Sequence, residues 1–412
     1  MERTRIRKTA LSLAVAGAFA GGVSQAHASA FALIEQSASG LGNSYAGAAA
    51  AADDASIIFY NPAGMSLLPG GMQVSGGLAL INLSLKFSDS GSLQAGGNGG
   101  DAGDLSAVPN LYFAMDAAKD LKFGVGISAP FGLKTEYDPT WVGRFQAIKS
   151  DIKTINVNPS VSYKLDDKIS FGFGLNYQQI DAELTREVTP AAPGVTVRVE
   201  GKDTSYGFNL GAMFRMTPDT TLGVSYRSSI KYKVEGTVAF SAAIGQPDGN
   251  VSLDVKMPDS TSIALKHRMN PSWTLLADAT RTGWAKIKDL TVVRDTGAQL
   301  ESTPENFKNT WRVGVGAVYR YDDAWSIKTG LAYDQTPVND TDRTARLPDQ
   351  NRMWLSFGGQ YKLSKDGTLD FGYAHLFVKD ASINQNPGTA IQLTGTYKGT
   401  IDIFGAQFAY RF

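Results

Sequence analysis

Residues 399–412, Gly399 to Phe412, read GTIDIFGAQFAYRF. Phe404, Ala406, Phe408, Tyr410 and Phe412 fall on one side of an extended chain; Gly405, Gln407, Ala409 and Arg411 fall on the other. Successive side chains of a β-strand point to opposite faces, so one face here is greasy and the other small or polar. A soluble sheet can show the same alternation. In this chain the pattern recurs many times and finishes on an outward aromatic residue, which reads as the closing strand of an outer-membrane barrel.

The other end agrees. Arg3, Arg5, Arg7 and Lys8 make a positive region, and Ala10 to Val23 an apolar run. Ala26-His27-Ala28 fits a small-residue cleavage site, with Ala28-Ser29-Ala30 as a second candidate. This pattern predicts a secretory signal peptide over 1–28 and a mature chain from Ser29. The apolar run, about fourteen residues, is shorter than the roughly 20 a spanning helix needs.

Composition bounds the rest. The 412 residues carry 39 basic and 39 acidic side chains, so no nucleic-acid partner is expected. No apolar run after the signal could span a membrane as a helix, but barrel strands are only half apolar and give a faint signal. The 44 glycines suit tight turns and a crowded lumen, and 20 Phe, 16 Tyr and 6 Trp suit interfacial girdles. Cysteine is absent, which excludes disulfides and thiolate chemistry. Beyond His27 only His267 and His375 remain, with no serine–base–acid spacing, phosphate loop or metal motif. Neither an enzyme nor a cofactor is expected.

Period-two runs and turn signals divide the chain into fourteen strands. They span 71–87, 105–116, 121–133, 150–165, 168–187, 202–216, 220–238, 250–269, 272–294, 309–321, 325–336, 351–363, 367–383 and 396–412. In the fifth, Phe171, Phe173, Leu175 and Tyr177 alternate with Gly172, Gly174 and Asn176. Six connections are tight, for example at Lys119-Asp120 and Asp322-Asp323. Seven are long: 88–104, 134–149, 188–201, 239–249, 295–308, 337–350 and 384–395. Long and short alternate strictly, as in bacterial barrels with short periplasmic turns, long outer loops and an even strand count. The expected fold is all-β: a 14-stranded antiparallel transmembrane β-barrel over 71–412, both termini periplasmic. Closure leaves no open edge, so a monomer surrounded by outer-membrane lipid and lipopolysaccharide is expected.

Residues 29–70 do not fit the barrel pattern. Phe31, Leu33, Ile34, Leu41, Tyr45 and the run Ile57 to Tyr60 are too many apolar groups for a solvated tail. An N-terminal hatch, a plug inside the lumen, is expected instead. The third strand is irregular at Ser128-Ala129-Pro130-Phe131-Gly132-Leu133. Pro130 cannot donate to a ladder, and Gly132 permits a bend. The residues alone allow two readings: a strand that ends near an outer loop, or a break in the wall. A break would expose backbone groups to hydrocarbon unless protein backs it.

Several stretches resemble the FadL/TodX family of outer-membrane transporters of hydrophobic compounds. They are Phe31 to Gly42, Ala52-Asp53-Asp54-Ala55, Asn61-Pro62-Ala63, Tyr226-Arg227-Ser228, the block from Tyr321 to Ser356 with Leu347-Pro348-Asp349-Gln350-Asn351-Arg352, and Tyr410-Arg411-Phe412. The likeness covers nearly the whole mature chain. It implies passive uptake of long-chain fatty acids or, alternatively, aromatic hydrocarbons, through an apolar lumenal pocket gated by the hatch. It places the hatch motif at Asn61, Pro62 and Ala63, and lateral exit at a third-strand kink of Pro130, Phe131 and Gly132. A general diffusion porin is the other alternative; it needs an open charged constriction, which a hatch would block.

The resemblance also implies candidate ligand-binding residues: Phe31 and Leu33 in the hatch, Lys308 near a head group, and Arg312 more weakly. Lys308 could equally be a solvated loop lysine. Arg186 occupies a place where the family has a basic residue, though the local match is poor. One departure concerns the outer capture groove: loops 188–201 and 239–249 are short, so the groove is reduced or replaced by 134–149 with Tyr137, Trp141 and Phe145.

Overall fold

The computed structural model describes residues 30–412; the signal peptide and the start at Ser29 lie outside them. Fourteen barrel strands follow in order. Strands 1 and 2 are Met72–Asp89 and Leu105–Ala118, and strand 3 is Leu121–Ser128 plus Gly132–Glu136. Strands 4 to 6 are Lys149–Lys164, Ile169–Glu187 and Thr196–Thr217. Strand 7 is Thr220–Arg227 plus Ile230–Phe240, and strand 8 is Gly249–Met257 plus Ser260–Arg268. Strand 9 is Trp273–Thr282 plus Asp289–Arg294, and strand 10 is Gln299–Pro304 plus Thr310–Arg320. Strands 11 and 12 are Trp325–Asp334 and Arg352–Lys362. Strand 13 is Gly367–Val378 plus Ala381–Gln385, and strand 14 is Leu393–Arg411.

Each strand pairs antiparallel with its neighbour, and strand 1 pairs with strand 14 from Gln73↔Arg411 to Asp89↔Gly395. The ring is therefore closed. Phe171, Phe173, Leu175 and Tyr177 are exposed on the outer face, while Ser170, Asn176 and Gln178 are buried inside. This inversion of a soluble core is stable only against lipid. Near the short turns, Trp273 lies 4.8 Å from Tyr319 and Trp325 lies 4.7 Å from Tyr361, as centroids. Such pairs suit the lower membrane boundary, where an aromatic ring meets both lipid and water.

Two expected boundaries shift. Strand 6 begins at Thr196 rather than 202, so the third outer connection shrinks to 188–195. The expected loop 295–308 contains strand instead, since Gln299–Pro304 pairs with strand 9 from Asp289↔Pro304 to Val293↔Gln299. The turn there is tight because Gly297 takes φ 84°, a left-handed conformation that suits glycine.

Residues 30–71 form short turns and helices at Leu41–Asn43, Ala48–Ala51, Ile57–Tyr60 and Pro62–Leu67. Their contacts reach the inward face of many strands. A Cβ on Gly42 would come 2.8 Å from Gly358 in strand 12, and one on Gly47 2.9 Å from Leu276 in strand 9. Ser162 and Ser170, in strands 4 and 5, donate to the Ala63 carbonyl at 3.0 Å each. Gly223 in strand 7 and Gly330 in strand 11 touch the backbones of Ala49 and Asn43; any side chain at either would collide with main chain.

Candidate functional site

Strand 3 is broken at Ala129–Phe131. Its lower half pairs with strand 4 up to Ser128↔Asn156, and its upper half resumes at Gly132↔Lys153. Four steps along strand 3 oppose three along strand 4, so one residue is extra. An extra residue moves alternate side chains to the other face and disrupts the ladder locally. Above the break strand 3 pairs with strand 4 alone, because its ladder to strand 2 stops at Leu111↔Ile127. Strand 3 has no ladder pair with Leu105–Asn110, which face it along this edge of strand 2. Pro109 sits in that edge, where proline is tolerated.

The N-terminal segment covers the broken backbone. The Leu33 amide donates to the Pro130 carbonyl at 2.8 Å, and the Gly132 amide to the Phe31 carbonyl at 2.8 Å. Gln36 brackets Ala129, its side chain donating to the carbonyl at 2.8 Å and accepting from the amide at 3.0 Å. From strand 4, Thr154 Oγ1 accepts from the Phe131 amide at 3.0 Å. Five backbone N–H and C=O groups that would otherwise cost several kcal/mol each in hydrocarbon are paired.

Beside the break lies a cavity of about 160 Å³. Leu33, Ile34, Phe59 and Tyr60 of the N-terminal segment line it, with Pro130 and Phe131 of strand 3 and Trp284 opposite. Phe31 stands one layer behind, its ring 4.8 Å from Trp284 and 6.1 Å from Phe131. The structure thus brings Phe31, Leu33, Pro130 and Phe131 together, with Gly132 just above. Asn61 and Ala63 lie elsewhere, as fasteners. Buried Asn61 donates to the carbonyls of Ala49 at 2.8 Å and Ala212 at 3.1 Å, and its Oδ1 caps the turn that begins at Pro62 by accepting from the Ala63 amide.

The two basic candidates separate. Arg312 is buried in the cavity wall, 3.4 Å from Asp278, and donates to the Ser44 carbonyl. Lys308 is exposed and outside the lining; only its backbone is fixed, donating to the Pro337 carbonyl at 3.0 Å. A solvated side chain gives a head group little, so Lys308→Ala is expected to change fatty-acid affinity by less than about 0.5 kcal/mol. Titration of the purified variant checks this, and a larger loss would place Lys308 at the ligand. Arg186 pairs with Glu301 at 3.2 Å. Tyr137, Trp141 and Phe145 are buried; Tyr137 stacks on Trp141 at 4.0 Å, and Trp141 packs on Phe87 at 5.6 Å. Tyr137 and Trp141 form a closed cluster with Phe87 and Tyr397 rather than an open groove.

Sequence reasoning passed over Arg227. It lines the cavity, donates to the Phe59 carbonyl at 2.9 Å and to Asn176 Oδ1, and lies 4.5 Å over the Phe59 ring. The available signal was a basic residue on the inward phase of strand 7, between small Ser225 and Ser228.

Glu35 also escaped notice. It is fully buried between the residues that cover the wall break, and among the described residues neither carboxylate oxygen finds a partner outside its own residue. Burial pushes its carboxyl up from 4.5 to about 7, against the pull of Arg352 and Arg312. The docked segment therefore holds the proton more tightly than the undocked one. Docking is strongest below about pH 4.5, weakens as pH rises toward 7, and levels off above that, for a total of roughly 3 kcal/mol. Glu35→Gln is expected to flatten this dependence and to hold the segment more firmly at pH 8. Hydrogen exchange of residues 30–70 between pH 5 and 8 measures it; a variant with the parent's pH slope would dismiss Glu35 as the titrating group.

The chain resembles known proteins along its whole length. The family described as Outer membrane protein transport protein (OMPP1/FadL/TodX) matches residues 19–412. A long-chain fatty acid transport protein of Escherichia coli is 28% identical, with all of both chains covered. A 47 kDa outer membrane protein of Pasteurella multocida is 29% identical over 97% of each chain. Among solved structures, a Pseudomonas aeruginosa FadL homologue superposes with a TM-score of 0.87 at 24% identity, covering 93% of this chain and 100% of that one. The Pseudomonas putida toluene transporter TodX gives 0.70 at 17% identity, covering 93% and 100%.

Proposed function

This chain belongs to the outer membrane transport protein family of FadL and TodX, and from that premise we propose that it takes up long-chain fatty acids passively across the outer membrane. In this reading residues 29–70 are a hatch that keeps the barrel from being a water-filled pore. The cavity between hatch and wall holds the apolar chain of the ligand, away from the polar lumen. The break in strand 3 is the exit, through which the ligand slides sideways into the bilayer rather than down into the periplasm.

The observation that carries this reading is the wall break itself, beside an apolar cavity and covered by main-chain bonds from the N-terminal segment. Those bonds satisfy the open backbone when no ligand passes, and they are few enough to exchange. Fatty acids are preferred as the class because full-length relatives carry that activity in their names, whereas the likeness to TodX supports the fold alone.

The test is uptake by cells whose own hydrophobic-compound channels are deleted, with and without this gene. Labelled oleate should enter only with the gene, and toluene should show no gene-dependent gain. Gene-dependent entry of toluene alone would move the substrate to aromatic hydrocarbons. Entry of small hydrophilic solutes would make the barrel a porin.

A further inference from the structure

Strands 6 and 7 part from each other at the level of the cavity. Their ladder runs up to Asn209↔Arg227 and resumes only at Lys202↔Glu235. Seven steps along strand 6 oppose eight along strand 7, and residues 203–208 have no ladder pair with strand 7. A few bonds cross the seam. The Ser228 amide donates to the Phe208 carbonyl at 2.8 Å, the Phe208 amide to Ser228 Oγ at 2.9 Å, and Ser205 Oγ to the Lys231 carbonyl at 2.7 Å. Among the described residues, nothing from the N-terminal segment bonds to the backbone of 203–208, unlike at the strand 3 break.

The cavity reaches the outer wall at this seam. Its lining includes Leu210 and Tyr226, which are cross-strand partners. Leu210 shares the outward face with the exposed rings of Tyr206 and Phe208. In the upper part of the seam that face turns charged, with Lys231 and Lys233 exposed there and Lys202 exposed at its upper end. A change from aromatic to charged marks the membrane boundary, so the seam lies near the outer-leaflet interface.

Two arginines line the cavity. Arg312 is neutralised by Asp278. Arg227 has no carboxylate within ion-pair distance among the described residues; its acceptors are the Phe59 carbonyl and Asn176 Oδ1. Asn176 belongs to a neutral amide cluster, donating to Asn209 Oδ1 at 3.1 Å. A guanidinium served only by neutral acceptors gains from a carboxylate, which can take two of its N–H groups in parallel.

Resting on the uptake reading, we propose that the strand 6–7 seam is a second mouth of the cavity, and that Arg227 at its inner edge binds the carboxylate of a long-chain amphiphile arriving from the outer leaflet. The ligand exchanges its carboxylate for the Phe59 carbonyl on Arg227 and leaves its tail among the apolar cavity walls.

The experiment measures binding of a long-chain carboxylate and of the alcohol of equal length to the purified full chain in detergent. Wild-type protein should prefer the carboxylate. Arg227→Met should weaken carboxylate binding roughly 10- to 100-fold and alcohol binding by less than about twofold, while Arg227→Lys keeps most of the preference. Access is tested with Gly207→Cys and Ser228→Cys in a chain without native cysteine; a Cβ on Gly207 lies 2.9 Å from Ser228 Oγ, close enough for a disulfide. The oxidised staple should slow ligand transfer from vesicles, and reductant should restore it. Equal binding of both ligands by wild-type protein overturns the proposal even if Arg227→Met fails to fold, and leaves the uptake reading standing. Equal losses for both ligands in Arg227→Met, or an oxidised staple with unchanged transfer, also overturn it. Binding of neither ligand brings down the uptake reading as well.

Discussion

Deletion of Pro130 is expected to reduce fatty-acid uptake to background while the barrel folds and the cavity still binds ligand. The register dictates this choice of variant. Ser128 opposes Asn156 and Gly132 opposes Lys153, so strand 3 carries one residue too many for a continuous ladder. Substituting valine for Pro130 or Gly132 returns a donor or removes a bend but leaves the surplus residue in place. Deletion removes the proline and the surplus together, and it keeps Leu133 and Thr135 on the inward face. The repaired strand can then extend its ladder with strand 2 beyond Leu111↔Ile127. The bond from the Leu33 amide to the Pro130 carbonyl is lost, a cost of about 1 kcal/mol that new ladder bonds offset. Labelled oleate uptake is measured beside binding to the purified variant. Full uptake by a correctly folded deletion would mean that ligand leaves by another route, most simply past the N-terminal segment into the periplasm.

Removal of residues 29–70 is expected to convert an electrically silent barrel into an open pore. All strand hydrogen bonds run between neighbouring strands, so closure does not need the segment. Its departure bares a charged inner wall. Lys328, now bonded to the Ser39 carbonyl and to Asp370 at 2.8 Å each, would face water, as would Arg312 beside Asp278. A wide, charged, hydrated lumen conducts ions. Single-channel recording in planar bilayers, with heat-modifiable migration on gels as the folding control, gives the answer. A truncated barrel as silent as the parent would mean that the segment is not what closes the lumen.

The barrel was legible in the sequence because its two signals are repetitive. Alternation recurs in every strand, and loop length alternates between the two ends, so errors at single strands do not change the count. Single events were harder to read. The strand 3 break could be located because proline announces itself at Pro130. The strand 6–7 seam could not, because Tyr206, Gly207 and Phe208 read as ordinary strand, and only the pairing reveals that they have no ladder partner in strand 7. Gln299–Pro304 was hidden by its polar content; it extends strand above the membrane, where no apolar face is required. At the site, Leu33, expected as a ligand contact, and Phe131, expected as part of the kink, both line the cavity. Lys308 was put forward by likeness to a motif rather than by inward phase, and a lysine at an interruption has no phase to read; Arg227 was part of a matched stretch but was given no role.

The bonds of the N-terminal segment also dictate the order in which the molecule can be put together. The Ala38 amide donates to Gln407 Oε1 at 3.0 Å, and Gln407 Nε2 donates to Asp54 at 2.9 Å. Gln407 belongs to strand 14 and faces inward only once that strand lies against strand 1. A part of the chain made early is therefore seated by a residue made 353 to 369 positions later. These are contacts of very high sequence separation, the slowest kind to form. The segment must cross to the periplasm, wait without its partners, and be enclosed as the ring shuts around it.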